Sequence, residues 1–440
     1  MERTTAEGLV RGIGRWDLVA LMINSMLGAS IFGLPGAMYA QLGGFSIIAF
    51  AGCALVSGLI MLCFAEVSSR FNQTGGQYLY AREAFGSAVG FEIGWLMWLQ
   101  RLTSFASVCN LFVLNCSYFW PAANAGWSRA VLMACIVAAL TTVNIIGIRN
   151  TAIVSNIITA GKVIPLLLFV SAGLFFIRPE YISFPTVPTA GAFSSSALLL
   201  LSVFTGFEAV AIAAGEVREP QRNLPFAMLV ALLFLTLLYV LIQVVCIGTL
   251  PGLSTSVRPL TDASTYFLGS AGGILISAGA LLAMAGTLIV IMLSGPRVLF
   301  AMAEQGQLPG ILSKTHGRFH TPYISILLTA ALMLAITVSG TFIYTLTINM
   351  IIRVVNYAVT CAALPKLRRT HPSDNAGFVA PAGTTLSVAS VLVCVWLLSS
   401  VGWREVRDTT IAGACGLLLY VAMKIRIALY PATLASREKT

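Results

Sequence analysis

The sequence predicts an all-α polytopic membrane protein of twelve transmembrane helices, and three observations carry that prediction. The chain of 440 residues is 58% hydrophobic and only 10% charged, with a mean hydropathy of +0.90. An ordinary soluble domain has about a quarter of its residues charged, so a soluble fold of this size is excluded. Apolar stretches of about 20 residues, the length that crosses the hydrocarbon of a bilayer as a helix, recur along the whole chain. Lys and Arg, finally, are divided unequally between alternate connecting loops.

In chain order the stretches fall, to within a few residues at each end, at about 16–41, 44–68, 88–119, 128–147, 152–177, 192–215, 225–250, 270–302, 321–339, 341–364, 384–401 and 409–430. The residues ahead of the first are polar and charged and lead straight into it, so no cleavable signal peptide is expected. No low-complexity run or soluble linker intervenes, and 1–440 reads as one membrane domain. Of the 26 Lys and Arg, 18 fall in one alternate set of loops and 5 (Arg129, Arg178, Arg258, Arg404 and Arg407) in the other. This bias puts both termini in the cytoplasm, for a multi-pass protein of the cell (inner) membrane. The net charge of +10 is therefore topological. Nucleic acid is not an expected partner, because basic residues are not clustered with aromatics on a soluble face.

The first and sixth stretches are the least regular. The first reads NSMLGASIFGLPG over 24–36, setting Gly28, Gly33, Pro35 and Gly36 among Asn24, Ser25 and Ser30 at mid-depth. The sixth reads LLSVFTGFEAV over 200–210, with Ser202, Thr205, Gly206 and Glu208 at the equivalent depth. Backbone leaves the helix at that depth only where it is buried in protein or lines a cavity. Two interrupted helices five spans apart, offset by about 180 residues, are what an inverted repeat of five plus five helices produces. The same offset brings the third stretch onto the eighth and the fifth onto the tenth. The expected organisation is thus two repeats, about 16–177 and 192–364, followed by accessory helices over about 384–430. The alternative for either break is a run of small residues that only lets helices pack closely.

An unwound helix exposes N–H donors where its second half starts and carbonyls where its first half ends, each backed by a partial charge. In the first span the N–H groups of Ala29, Ser30 and Ile31, beyond Gly28, are placed to face a carboxylate. Carbonyls near Met26 and near Ser202, Val203 and Thr205, flanked by Phe204 and Gly206, suit an ammonium. Together they form a receptor for the zwitterionic head of an α-amino acid, with the side chain left to the third, eighth and tenth spans. No enzyme is expected: neither HExxH nor GxSxG occurs, and no aspartates pair within the membrane. No cofactor or metal is expected either.

GASIFGLPG in the first span, AEVSSRFNQTGGQYLYAREAFG from Ala65, FTGFEAVAIAAGEVREPQRNLPFA from Phe204 and GPRVLFAMAEQGQLP from Gly295 resemble, in order and spacing, the signatures of the amino acid–polyamine–organocation permeases. The likeness spans nearly the whole chain. It implies a LeuT-like fold and alternating-access transport of an amino acid or related small amine. One departure is that relatives often read Gly-Ser-Gly or Gly-Ala-Gly before Ile-Phe, where this chain has Gly28, Ala29 and Ser30. Lys162, in AGKVIPLLLFV, resembles the lysine that several proton-coupled and exchanging relatives carry in the fifth span. The resemblance implies that its ammonium replaces a sodium ion against the broken first helix, with Ser294 nearby. An ammonium, unlike a sodium ion, can release a proton and change its hold on the first-span carbonyls. The alternative is a lysine that snorkels or is permanently paired.

Lys162 is one of four charges read deep within spans, away from their ends, with Arg101, Glu208 and Arg353. Each would cost about +3 kcal/mol at mid-bilayer if it faced lipid, so all four are expected inside the bundle. Glu208, just past the second break and similar to a family glutamate, is expected to gate or respond to protons, paired with Lys162 or Arg101, or else to bond backbone freed by the break. Arg101 offers a fixed charge and a planar fork for carboxylates. It is expected to turn the pocket against basic amino acids and toward acidic or polar ones, or to pair internally with Glu208 or span-end carbonyls. Arg353 is expected in a structural pair. The expected partners are an amino acid or amine, protons and membrane lipid. A polyamine carrier and a non-transporting amino-acid sensor remain as rival readings.

Weaker signals read as loops. His316 and His320 have helical metal spacing, but Gly317 lies between them in a short loop. The sequon Asn72, Gln73, Thr74 falls on the cytoplasmic side. Glu216 and Glu219 alternate with Arg218 and Arg222 as a polar exit from the sixth span, where surface pairs are worth at most about 1 kcal/mol. The nine cysteines lie in apolar stretches without a CxxC pair, as packed thiols do.

Overall fold

The computed structural model describes residues 14–71, 76–146, 151–184, 187–208, 217, 219–319, 321–370 and 378–429. The helices described in them are α1 (Arg15–Met26), α2 (Leu34–Leu42), α3 (Ser46–Ser69), α4 (Gly76–Phe85), α5 (Ser87–Cys116), α6 (Gly126–Ile146), α7 (Thr151–Gly173) and α8 (Ala190–Leu200). After the second break come α9 (Pro220–Thr249), α10 (Pro259–Glu304), α11 (Tyr323–Ser339), α12 (Phe342–Thr370), α13 (Gly383–Leu398) and α14 (Trp403–Leu429). Six helical segments among the described residues are long and apolar enough to cross a membrane, and four shorter ones are mostly apolar. Large apolar side chains such as Leu55, Trp127, Phe175 and Leu418 stand exposed on the outside, as a lipid-facing surface requires. The chain is therefore a polytopic, all-helical membrane protein.

Two features escape a count of apolar stretches. The helix α4 has a polar sequence, GQYLYAREAF, and buries Gln77, Tyr80, Ala81 and Ala84 while packing on α5 and α12. It is amphipathic and too short to register as a span. The helix α10 turns sharply at Gly269, whose φ of 69° lies in the left-handed region that favours glycine, so its first ten residues point away from the long remainder.

Prolines inside helices are turned into ties between helices. A proline cannot donate to the carbonyl four residues before it. In α10 the Met292 carbonyl, released by Pro296, accepts instead from Asn144 Nδ2 of α6 at 2.7 Å. In α12 the Cys361 carbonyl, released by Pro365, accepts from Ser387 Oγ of α13 at 2.6 Å. In α7 Pro165 fits against Gly279 of α10, where a methyl group would collide with the proline ring. Freed backbone at membrane depth must find such partners, because lipid supplies none.

Charged ties close the two ends. Glu66 of α3 is fully buried and accepts from Arg70 Nη2 (2.6 Å), from Arg368 Nε and Nη2 (2.7 Å each) and from the Ala380 N–H (2.9 Å). It joins α3, α12 and the segment entering α13. At the opposite end Arg129 Nη2 of α6 donates to Asn110 Oδ1 of α5 (2.6 Å) and to the Gly340 carbonyl after α11 (2.8 Å).

Replacing Asn144 by Ala leaves the Met292 carbonyl buried without a donor, a loss of about 1–3 kcal/mol. We expect the purified protein to lose its monodisperse gel-filtration peak at a lower temperature than wild type, whereas Ser339→Ala, at an exposed hydroxyl, leaves that temperature unchanged.

Candidate functional site

The first break follows from residues that stop a helix and restart it. Past Met26 the backbone leaves the helical region at Leu27 (φ −72°, ψ 84°) and is extended at Gly28 (φ −86°, ψ 170°). A tight turn over Ala29–Phe32 then leads through Gly33 into α2, where Pro35 sits in the first turn and its missing N–H has no helical partner to lose. The second break is built alike: α8 tightens over Leu201–Phe204, Thr205 is extended (φ −81°, ψ 166°), and Gly206 adopts φ 109° before the chain turns helical at Phe207 and Glu208.

The two breaks touch. A methyl group at Gly206 would collide with the Ser25 carbonyl and stand 3.2 Å from Met26 Cα. Only glycine combines that approach with that φ. Ser25 Oγ donates to the Gly206 carbonyl at 2.8 Å, and Tyr239 OH of α9 donates to the Met26 carbonyl at 3.5 Å. Thr205 Oγ1 folds back to donate to the Ser202 carbonyl at 2.9 Å. The turns Ala29–Phe32 and Leu201–Phe204 pack on each other, α5 and α10 on the first, and α12 on the second. The glycines divide by role: Gly33 and Gly36 serve packing, since a methyl group would come within 2.6 Å of Leu111 and 2.7 Å of the Ser256 carbonyl, whereas at Gly28 nothing lies closer than 3.9 Å.

Several polar groups at this junction are open. Ala29, Ser30 and Ile31 begin their turn and have no helical carbonyl to donate to. Asn24 Oδ1 and Ser202 Oγ are buried without a hydrogen-bond partner. Such atoms cost about 1–3 kcal/mol each unless something binds them.

Glu208 anchors the second break. Its Oε2 accepts from the Gly206 N–H at 2.9 Å and from Tyr357 OH at 3.0 Å, and its Oε1 is ion-paired with Arg353 Nη1. Gln100 of α5, with its carboxamide oxygen facing the guanidinium, accepts from Arg353 Nη2 at 2.8 Å and from Nε at 3.3 Å. The carboxylate thus pairs with Arg353 and not with Lys162 or Arg101, because Arg353 and Tyr357, one turn apart on α12, reach it together. Arg353 has the structural pair that its buried position demands. Arg101 stands apart: it is half-buried, lies within electrostatic reach of Arg353, Glu208 and Tyr357, and makes no hydrogen bond or ion pair among the described residues. Lys162 is buried on α7, at 9% exposure, and likewise has no hydrogen-bond partner among the described residues. Ser294 Oγ donates to the Ile291 carbonyl of its own helix at 3.3 Å and makes no hydrogen bond with Lys162.

The sequence did not point to Tyr357, Gln100 or Tyr239. The one available signal was the spacing of Arg353 and Tyr357, which puts both on one helix face. His316 is occupied as a loop acceptor, its Nδ1 taking the N–H groups of Arg318 and Phe319. Glu219 is exposed in the left-handed region (φ 46°) ahead of α9. His320, Glu216, Arg218 and the sequon at 72–74 lie outside the described residues.

Removing one member of a buried pair strands the other at about 3–5 kcal/mol. Arg353→Met alone is therefore expected to lower the yield of folded, monodisperse protein sharply, and Arg353→Met with Glu208→Gln to restore most of it. Equal damage by the single and double variants would remove the pair from its anchoring role.

The profile of the amino acid permease family matches residues 13–413. The chain is 27% identical to a methylthioribose transporter of Bacillus subtilis (strain 168), covering 95% of this chain and 94% of that protein. It is also 27% identical to a branched-chain amino acid permease of the same organism, covering 94% of this chain and 93% of the relative. A serine/threonine exchanger, again from that organism, is similar at 27% identity over 96% of this chain and 99% of its own length. With a family match over nearly its whole length and two broken helices meeting at open polar backbone, the chain belongs to the amino acid permease family: it is a secondary transporter of amino acids or related compounds, and not an enzyme.

Proposed function

We propose that the protein carries an α-amino acid across the cell membrane by alternating access, with the zwitterionic head held between the two breaks. The observation that carries this reading is the contact of Gly206 with Ser25 and Met26, which sets the open N–H groups of Ala29, Ser30 and Ile31 beside the turn of Ser202, Val203 and Phe204. Donors for a carboxylate and acceptors for an ammonium then lie side by side. In this reading twelve helices span the bilayer in a LeuT-like arrangement, with repeats over 16–177 and 192–364, accessory helices over 384–430 and both termini in the cytoplasm. The two matched breaks and the unequal distribution of Lys and Arg support it.

Lys162 replaces a coupling sodium ion in this reading and exchanges a proton with solvent during the cycle. Its burial without a hydrogen-bond partner among the described residues supports that role over a permanent pair. Arg101 turns basic substrates away. A polycation finds no free carboxylate at the breaks, since Glu208 is committed to Arg353, and a substrate without a carboxylate leaves the first-break donors unused.

A second reading comes from the relative named as a methylthioribose transporter. A neutral hydroxylated substrate would use the unpartnered Asn24 Oδ1 and Ser202 Oγ.

Counterflow of radiolabelled amino acids in proteoliposomes tests the proposal. We expect exchange that needs no sodium and varies with pH, and a Lys162→Gln variant whose exchange no longer varies with pH. Uptake that requires sodium and ignores pH would sink the role of Lys162. Inhibition by methylthioribose but by no amino acid would favour the second reading.

A further inference from the structure

We infer that the transported substrate carries an anionic group besides its α-carboxylate, and that Arg101 is the residue that selects it. The inference rests on the proposal that an amino-acid head binds the breaks, and it adds the class of side chain. The argument is one of charge. The one carboxylate at the breaks among the described residues is Glu208, and its oxygens are taken: Oε1 by Arg353, Oε2 by the Gly206 N–H and Tyr357 OH. Arg353 in turn is engaged by Glu208, Tyr357 and Gln100. That network is neutral and closed.

Arg101 is adjacent in sequence to Gln100 and lies within reach of the network, yet is outside it. The charge that acts on it most is the like charge of Arg353, which the Glu208 carboxylate, already paired with Arg353, offsets only in part. A guanidinium does not lose its charge inside a protein, so neutralisation by deprotonation is closed to it. None of its nitrogens is both buried and unpartnered, so the head is not sealed by packing. The close fit of Gly295 to its Cβ fixes the base of the side chain on the α10 side. A fixed planar fork with no hydrogen bond or ion pair among the described residues, within electrostatic reach of the Glu208 network, suits a carboxylate, sulfonate or phosphate on the substrate, which it would hold by two parallel hydrogen bonds. A basic side chain would meet Arg101 and Arg353 with no free acid. A neutral aliphatic one would leave the charge as it is.

The test uses the full chain in chloride-free proteoliposomes loaded with one amino acid and assayed for exchange against a panel of glutamate, aspartate, cysteate, alanine, leucine and lysine. Wild type is expected to exchange the acidic members best. Charge-assisted hydrogen bonds are the strong ones, so Arg101→Gln should weaken competition by acidic members about tenfold or more while leaving alanine within about twofold. Arg101→Lys, which keeps the charge but loses the fork, should fall between. Exchange of alanine or leucine with glutamate, aspartate and cysteate excluded would overturn this inference and leave the amino-acid reading intact. No exchange of any panel member by protein that elutes as a single folded species would overturn both. Exchange that starts only when chloride is restored would overturn the inference, since an inorganic anion would then be the partner of Arg101.

Discussion

Within a bilayer, backbone that leaves a helix must be satisfied by protein, and the contact of Gly206 with Ser25 and Met26 is where this chain meets that demand twice at once. Each break covers part of the other. The Ser25 hydroxyl takes one carbonyl of the second break, Tyr239 takes one of the first, and the Glu208 carboxylate takes the N–H of Gly206 itself. What this mutual coverage leaves open is small and polar. Among the described residues it includes the N–H groups at Ala29 to Ile31 and two side-chain oxygens, beside turns on which α5, α10 and α12 pack. A helix bundle packed by apolar side chains alone has no such groups, and their survival at the junction is what supports the proposal that it binds substrate.

The charges follow the same economy. Glu208 is held by a residue of α12 that is itself held by α5, so the second break is tied through α12 to α5. Since truncating one partner of a buried pair is far worse than replacing both, the pair reads as a device that fixes geometry more than one that adds stability. The Glu66 cluster does the equivalent at the far end of α3, and the proline-released carbonyls of α10 and α12 do it without charge. Against so many satisfied groups, Arg101 and Lys162 stand out as cations whose partners the described residues do not supply.

Much of this was legible in the sequence, and the exceptions have physical causes. Helix positions follow from apolar length, and the breaks from glycine, serine and proline at mid-depth, because lipid leaves the backbone few alternatives. The turn at Ala29 and the left-handed Gly206 lie where the pattern put them. The helix α4 was invisible because an amphipathic surface helix of ten residues has no apolar length to count. The partner of Glu208 could not be read because pairing depends on how three separate helices are rotated, which composition and spacing within one helix do not encode. Arg353 was marked as a structural charge, yet its link to the break passes through Tyr357 and Gln100, two residues whose types carry no such signal by themselves.

The most direct test is an electron cryomicroscopy structure of the protein with an exchanged amino acid bound. The carboxylate is expected within hydrogen-bond distance of the N–H groups of Ala29, Ser30 and Ile31, and the ammonium against the carbonyls of Met26 and the turn at Ser202 to Phe204. Substrate density seated away from both breaks, with those N–H groups bonded to protein instead, would contradict it.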